Sequence, residues 1–232
     1  MPSDTGYAAT TSFLWLLFAP FVRRRIIGRA HVPSRGACIL APNHISHFDP
    51  PLLGPSIRRT VDWMAMRDLF EIAVVGKWLN FVGTFPVEMG KLDSGAVRTA
   101  ITRLREGRMV GVFPEGGLRT GPNSVLEGAP LRPGVSALAQ MTGARVLPCV
   151  IIGSDALYTP QRWWPLRRTR IWIVFGEPLD PPGDQPDKAA ARTDFEKRLG
   201  DILRDLYQRT VREEKIPADC LPQTPQRRKG KA

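Results

Sequence analysis

The hydrophobic and polar positions of this chain change rhythm often, and each change predicts an element. Residues 37–40 (ACIL) are a short apolar run, partly β-branched, as a buried strand requires. VDWMAM at 61–66 alternates with period two, and TFPV at 84–87, MVGVF at 109–113, RVLPCVII at 145–152 and RIWIVFG at 170–176 are further strand candidates. Stretches of helical spacing lie between them. DLFEIAVVGKWLNFVG from Asp68 is one, closed by Gly83. Asp93 and Ser94 can cap a second, whose Val97, Ile101 and Leu104 share a face before Gly107, and a third covers about 135–141 before Gly143. Residues 193–214 predict a long closing helix with Phe195, Leu199, Ile202, Leu203 and Leu206 on one stripe. Strands alternating with helices imply an α/β fold: a single layered domain with a central, largely buried sheet flanked by helices.

The two ends depart from that rhythm. FLWLLFAPFV at 13–22 is apolar, contains Pro20 and runs directly into Arg23, Arg24 and Arg25. A bilayer-spanning helix needs roughly 20 apolar residues, so this shorter segment is expected to lie in the membrane interface. A secretory leader would carry its positive charge ahead of the apolar part; here Asp4 precedes it and the arginines follow, so export is not expected. Packing against the domain's own core is the competing reading, and Trp15 near three arginines favours the membrane. At the other end QTPQRRKGKA has nothing to bury and is expected to be a solvated basic tail. The chain thus divides into an N-terminal interfacial anchor at 1–28, a folded domain at 29–216 and a disordered basic tail at 217–232.

Composition sharpens this picture in two places. The chain has 232 residues, no internal repeat and no long Gly/Ser linker, which suits one substantial domain. Its formal net charge of +11 calls for an anionic partner, either nucleic acid or an acidic membrane surface. There is no helix-turn-helix, zinc-finger or aromatic RNA-binding signature, so nucleic acid is not expected and the anionic membrane surface is. Cys38, Cys149 and Cys220 are odd in number and scattered, as in a reduced compartment. The expected location is the cytoplasmic face of the cell membrane, in a monotopic arrangement.

Candidate chemistry gathers in two segments. APNHISHFDP at 41–50 places His44, His47 and Asp49 in a strand-to-helix loop, with Pro50 at a helix start. A tight loop can fold the Asp49 carboxylate back onto His44, fixing its tautomer and leaving the second ring nitrogen free to take a proton from a hydroxyl. Equally, Asp49 can be a simple helix cap and His44 a loop hydrogen-bonder. Metal binding is not expected, because His31 is far upstream and the cysteines lack paired spacing. The second segment, FPEGGLRT at 113–120, follows the strand at Met109 and sets a carboxylate and a guanidinium four residues apart in a glycine-containing turn. Glu115 can accept from a hydroxyl, Arg119 can grip phosphate, and Gly116 and Gly117 allow close backbone approach; a local Glu115–Arg119 surface pair is the plainer alternative.

Together the two segments carry a family resemblance. NHISHFD at 43–49 resembles the NHxSxxD signature of the glycerolipid acyltransferases, the PlsC-like 1-acylglycerol-3-phosphate acyltransferases, and FPEGGLRT resembles that family's FPEGTRS block. GTFPVEMGK at 83–91 is similar to the intervening GxxxVDR block and VLPCVI at 146–151 to the final VxPV block, all in the family's order. The resemblance spans about residues 30–180. It implies transfer of a fatty acyl group from a thioester of coenzyme A or acyl carrier protein to a glycerolipid hydroxyl, with the thioester as co-substrate and no cofactor. His44 would be the general base and Asp49 its orienting carboxylate, both catalytic. Glu115, with Gly116, would hold a glycerol hydroxyl, and Arg119, assisted by Lys91, a phosphate. The expected acceptor is lysophosphatidic acid and the product phosphatidic acid. Departures are Gly117 for Thr in the third block, and Glu88 and Met89 where Asp and Arg are usual. Met89 keeps open another lysophospholipid, a glycolipid or a monoacylglycerol as acceptor. A lipid-binding member without catalysis is the reading from outside enzymology. No GxSxG elbow supports a hydrolase.

Overall fold

The structure, a computed structural model, describes residues 4–88, 93–163, 168–183 and 186–224. Its elements run α1 (Asp4–Phe18), β1 (Val22–Ile27), β2 (Cys38–Pro42), α2 (Asp49–Leu53), β3 (Val61–Met66), α3 (Asp68–Glu71), α4 (Ala73–Phe81), β4 (Phe85–Val87), α5 (Ser94–Arg105), β5 (Met109–Gly111), α6 (Val135–Thr142), β6 (Arg145–Ile152), β7 (Thr169–Phe175) and α7 (Lys188–Glu213), with short 3-10 turns between some of them. Among the described residues the strands form one sheet in the order β1-β7-β6-β2-β5-β3-β4. β6 and β7 pair antiparallel and the other neighbours are parallel. The C-terminal ends of β2, β3, β4, β5 and β6 therefore share one edge of the sheet, where ligand sites gather in α/β folds.

The pleat divides the core into two apolar layers. Ile39 and Ala41 of β2, Val146 and Val150 of β6 and Val174 of β7 pack against α5, α6 and α7 through Ala100, Leu104, Leu138, Leu199 and Leu203. Their alternates Cys38, Leu40, Leu147, Cys149, Ile151 and Ile173 face the other way, against Tyr7 and Phe18 of α1 and Leu52 and Leu53 of α2. Both faces being covered, the strands read as continuous apolar runs. The expected layered α/β domain is what the chain adopts.

Several local expectations change. Residues 22–27, assigned to the N-terminal anchor, are edge strand β1, paired along its length with β7. Val22 is buried, and the Arg24 guanidinium lies 3.5 Å from the centre of the Trp15 ring. The arginine run thus alternates across a sheet edge, and its middle member is spent on a cation–π contact with α1. The helix predicted from Asp68 is broken at Ile72, whose backbone is extended (ψ 107°). A Cβ on Gly76 would meet the Phe70 carbonyl oxygen at 2.3 Å, so glycine lets the two short helices fold closely together. The strand predicted at 109–113 stops at Gly111, and the closing helix begins earlier than residue 193, at Lys188, capped by Asp187. Residues 217–224, placed in the disordered tail, lie on the body: Cys220 is buried and Gln223 N donates to Asp155 Oδ2 at 2.9 Å. Residues 225–232 lie outside the described residues.

Candidate active site

β2 ends at Pro42, and the next residue ties the outgoing loop to its neighbour strand. Asn43 N donates to Cys149 O (3.3 Å), Asn43 Nδ2 donates to Ile151 O (3.1 Å) and Ile151 N donates to Asn43 Oδ1 (2.7 Å). The fully buried Asn43 side chain continues the β2–β6 ladder for one more step and fixes where His44 leaves the sheet.

His44 and Asp49 come together. His44 Nδ1 lies 2.9 Å from Asp49 Oδ2, and that oxygen also accepts the Ile45 and Ser46 amides, each at 2.9 Å. An oxygen already receiving two backbone N–H groups is an acceptor, so Nδ1 carries the proton and Nε2 is left with its lone pair. The second oxygen, Oδ1, accepts from Ser154 Oγ at 2.5 Å. Asp49 is 0% exposed and the His44 side chain 14%, so the carboxylate is sealed while the imidazole keeps an opening. Burying a carboxylate is costly unless it is hydrogen-bonded, and Asp49 has four donors. The cap expectation changes in detail: α2 begins at Asp49 itself, and the carboxylate reaches back to the loop without capping the helix.

The FPEGGLRT turn leaves β5, which pairs with β2 in parallel, and grips the His44 peptide on both sides. His44 N donates to Glu115 Oε2 at 2.7 Å, and Arg119 N donates to His44 O at 2.8 Å. The other Glu115 oxygen accepts Ser124 Oγ at 2.9 Å and Val125 N at 2.8 Å. Glu115 is 4% exposed and engaged by three protein donors. Glu115 thus clamps the two loops together, a role that the sequence reading did not give it. Burial pushes its carboxyl above the ordinary range, with the His44 and Val125 amides pulling the other way.

Aromatic stacking sets the plane of the imidazole. The His44 ring lies 3.8 Å from Phe113 at 19°, and Phe113 lies 5.4 Å from Trp63 of β3 at 21°. Trp63 in turn lies against Gly111, where a Cβ would meet its ring at 2.4 Å. Gly111 thus makes room for a stack that ends on the His44 ring.

The remaining predicted residues separate. The Arg119 guanidinium, half-buried, has no hydrogen-bond or ion-pair partner among the described residues, so the expected Glu115–Arg119 surface pair is not formed. Gly116 has φ 65° and carries the Arg132 side chain across it. Lys91, and Met89 with it, lie outside the described residues. His47 enters through its backbone, which donates to Tyr158 Oη at 2.9 Å. Cys149 is buried beside Asp49, and burial pushes its thiol well above the usual range, so it is no nucleophile. Sequence reasoning missed Ser154; the signal available was a hydroxyl just past the C-terminal end of an apolar strand.

The α/β sheet thus carries, at the shared edge of its parallel strands, a histidine hydrogen-bonded to a buried carboxylate. The family model described as Acyltransferase matches residues 23–152, and the chain belongs to that family. A 1-acyl-sn-glycerol-3-phosphate acyltransferase of Bacillus subtilis (strain 168) is 28% identical over 159 residues, covering 67% of this chain and 73% of that protein. Proteins of the same name from Borreliella burgdorferi and Streptococcus pneumoniae are each 26% identical, over 62% and 61% of this chain and 56% and 50% of their own lengths. The solved structure of the 1-acyl-sn-glycerophosphate (LPA) acyltransferase PlsC from Thermotoga maritima has the same fold, with a TM-score of 0.67 at 22% identity over 87% of this chain and 79% of that one.

Proposed function

We propose that this acyltransferase moves a fatty acyl group from a thioester of coenzyme A or acyl carrier protein to the free hydroxyl of lysophosphatidic acid, giving phosphatidic acid. The observation that carries the reading is the His44–Asp49 pair with Nε2 left as a free acceptor. His44 takes the hydroxyl proton as the oxygen attacks the thioester carbonyl, and Asp49 stabilises the imidazolium that forms. The imidazolium then returns the proton to the departing thiolate, so no acyl-enzyme is needed. Arg119, whose amide bonds His44 O and whose guanidinium has no hydrogen-bond or ion-pair partner among the described residues, supplies a fork for the acceptor's phosphate, and Lys91 is assigned to assist it. Another lysophospholipid, a glycolipid and a monoacylglycerol are the competing acceptors because Met89 stands where the family resemblance expects arginine.

The acceptor is a lipid, and the exposed apolar residues support docking at the cytoplasmic face of an anionic membrane. Phe13, Leu16 and Leu17 of α1 are exposed, as are Leu69, Ile72, Val74, Trp78 and Phe81 across α3 and α4. None of the described helices is long and apolar enough to cross a membrane. The test offers the purified chain lysophosphatidate, lysophosphatidylcholine and monoacylglycerol in vesicles with a fatty acyl thioester, and identifies products by mass spectrometry. Phosphatidic acid should dominate; acylation of monoacylglycerol without it would overturn the acceptor assignment.

A further inference from the structure

We propose that Ser154 is a positioning residue for acyl transfer, holding the outer oxygen of Asp49 so that the carboxylate keeps His44 oriented with Nε2 as the base. The inference rests on the acyl-transfer reading above and adds a residue from outside the segment, 23–152, that the family model matches. Ser154 is fully buried, and its hydroxyl donates to Asp49 Oδ1 at 2.5 Å across 105 residues of sequence. Asp49 Oδ2 has three donors, whereas Ser154 is the one described donor to Oδ1. A 0% exposed carboxylate has no water to replace a lost donor.

The backbone around Ser154 is built to hold that hydroxyl in place. Gly153 turns the chain at the end of β6 with φ 89°, and a Cβ there would meet the Arg170 carbonyl oxygen at 2.5 Å. Asp155, next along, accepts Gln223 N from the C-terminal segment, whose Asp219 pairs with Arg162 at 3.5 Å. The segment 217–224 therefore braces the turn that presents Ser154 to the catalytic loop.

The consequence for proton transfer has a definite sign. The working state is neutral His44 beside the Asp49 carboxylate; when Nε2 takes a proton the imidazolium partly compensates the charge of that carboxylate. Removing the Ser154 donor destabilises the first state more than the second, so a higher pH is needed to reach the base form. The titratable and charged groups around the pair are Glu115, bonded to His44 N, Cys149, buried beside Asp49, Arg119, whose amide bonds His44 O, and Asp155, next to Ser154 and bonded to Gln223 N; none of them is altered by the Ser154 substitutions.

The test uses the full chain carrying Ser154→Ala or Ser154→Cys, with two readouts. The first is the pH profile of kcat/KM for transfer to lysophosphatidate: its acid limb should move to higher pH by up to about one unit in Ser154→Ala, and by less in Ser154→Cys. The second is the downfield proton resonance of His44 Nδ1, which needs no turnover and should move in the same order. A uniform loss at every pH with an unmoved resonance would make Ser154 merely structural and overturn the proposal. If Ser154→Ala does not fold, Ser154→Cys, which keeps a weaker donor, decides on the same two readouts. If the unaltered chain acylates no lysophospholipid, the functional reading fails, while the resonance still decides the place of Ser154.

Discussion

Glu115→Gln separates a ligand-binding carboxylate from one that builds the site. In the structure the carboxylate receives His44 N at 2.7 Å on one oxygen and Val125 N at 2.8 Å with Ser124 Oγ at 2.9 Å on the other. A carboxamide of the same size keeps one acceptor and turns the other into an NH2 donor. Whichever way it sits, that NH2 faces a backbone N–H. With the amide oxygen toward Val125 and Ser124, the bond to His44 is lost. A hydrogen bond to a charged group contributes about 1.5–3 kcal/mol, and a buried donor left unsatisfied costs a further ~1–3 kcal/mol. Removing a buried charge, whose cost shows in the raised carboxyl, returns part of this. The balance is a loss of roughly 1–3 kcal/mol, or about 3–10 °C in melting temperature for a chain of this size.

The kinetic signature follows from which loop moves. His44 loses the bond on its own amide, so the base shifts, and a misplacement of about 1 Å can cost about 100-fold in rate. The variant should melt lower and lose kcat, with the acceptor KM within about twofold of the parent. Thermal melts and steady-state assays on the same preparation check this. A variant with parental melting temperature and an acceptor KM raised tenfold would refute the clamp and restore Glu115 to the glycerol hydroxyl.

Three further outcomes are expected. His44→Ala should lower turnover by roughly 10²–10⁴-fold with the fold retained, while His47→Ala, whose contribution to the loop is its backbone N–H to Tyr158, should cost far less in the same assay. Arg119→Ala should raise the apparent KM for lysophosphatidate at least about tenfold and leave monoacylglycerol unaffected, read from the two acceptors side by side. Asp93 caps α5 by accepting Gly95 N and Ala96 N, and with Glu88 N these hold its carboxyl below the ordinary range. Its contribution is therefore complete above the unfolded value near pH ~3.9 and is lost as pH falls through the lower folded value, so the parent and Asp93→Ala should differ in melting temperature at pH 7 and converge in acid.

What the sequence discloses about this site depends on how far apart the partners lie along the chain. His44 and Asp49 are five residues apart in one loop, and local spacing was enough to pair them. The strands and most helices were legible for the same reason, since period and caps are local. β1 was hidden because an arginine run after an apolar stretch matches an anchor's basic flank as well as an edge strand; pairing with β7, far along the chain, decides between them. The break at Ile72 has no proline and no flanking glycine to announce it, and it depends on Gly76 closing onto Phe70. The clamp made by Glu115 was not legible, because its orientation is fixed by Ser124 and Val125 on a turn whose course no local pattern predicts.

The contacts that sequence missed have a common purpose. His44 and its carboxylate lie on one loop, closed on itself by the Ile45 and Ser46 amides on Asp49 and held in place from outside. Asn43 fastens the loop to β6, Glu115 and the Arg119 amide fasten it to the turn after β5, the Phe113–Trp63 stack fixes the ring, and Ser154 holds the carboxylate from behind. The fastenings come from the end of β6, from the turn after β5 and from β3, and parallel pairing is what brings these strands to the loop. A free loop would sample many imidazole orientations. Here the sheet supplies the order before any acceptor binds, and binding energy is left for the transfer itself.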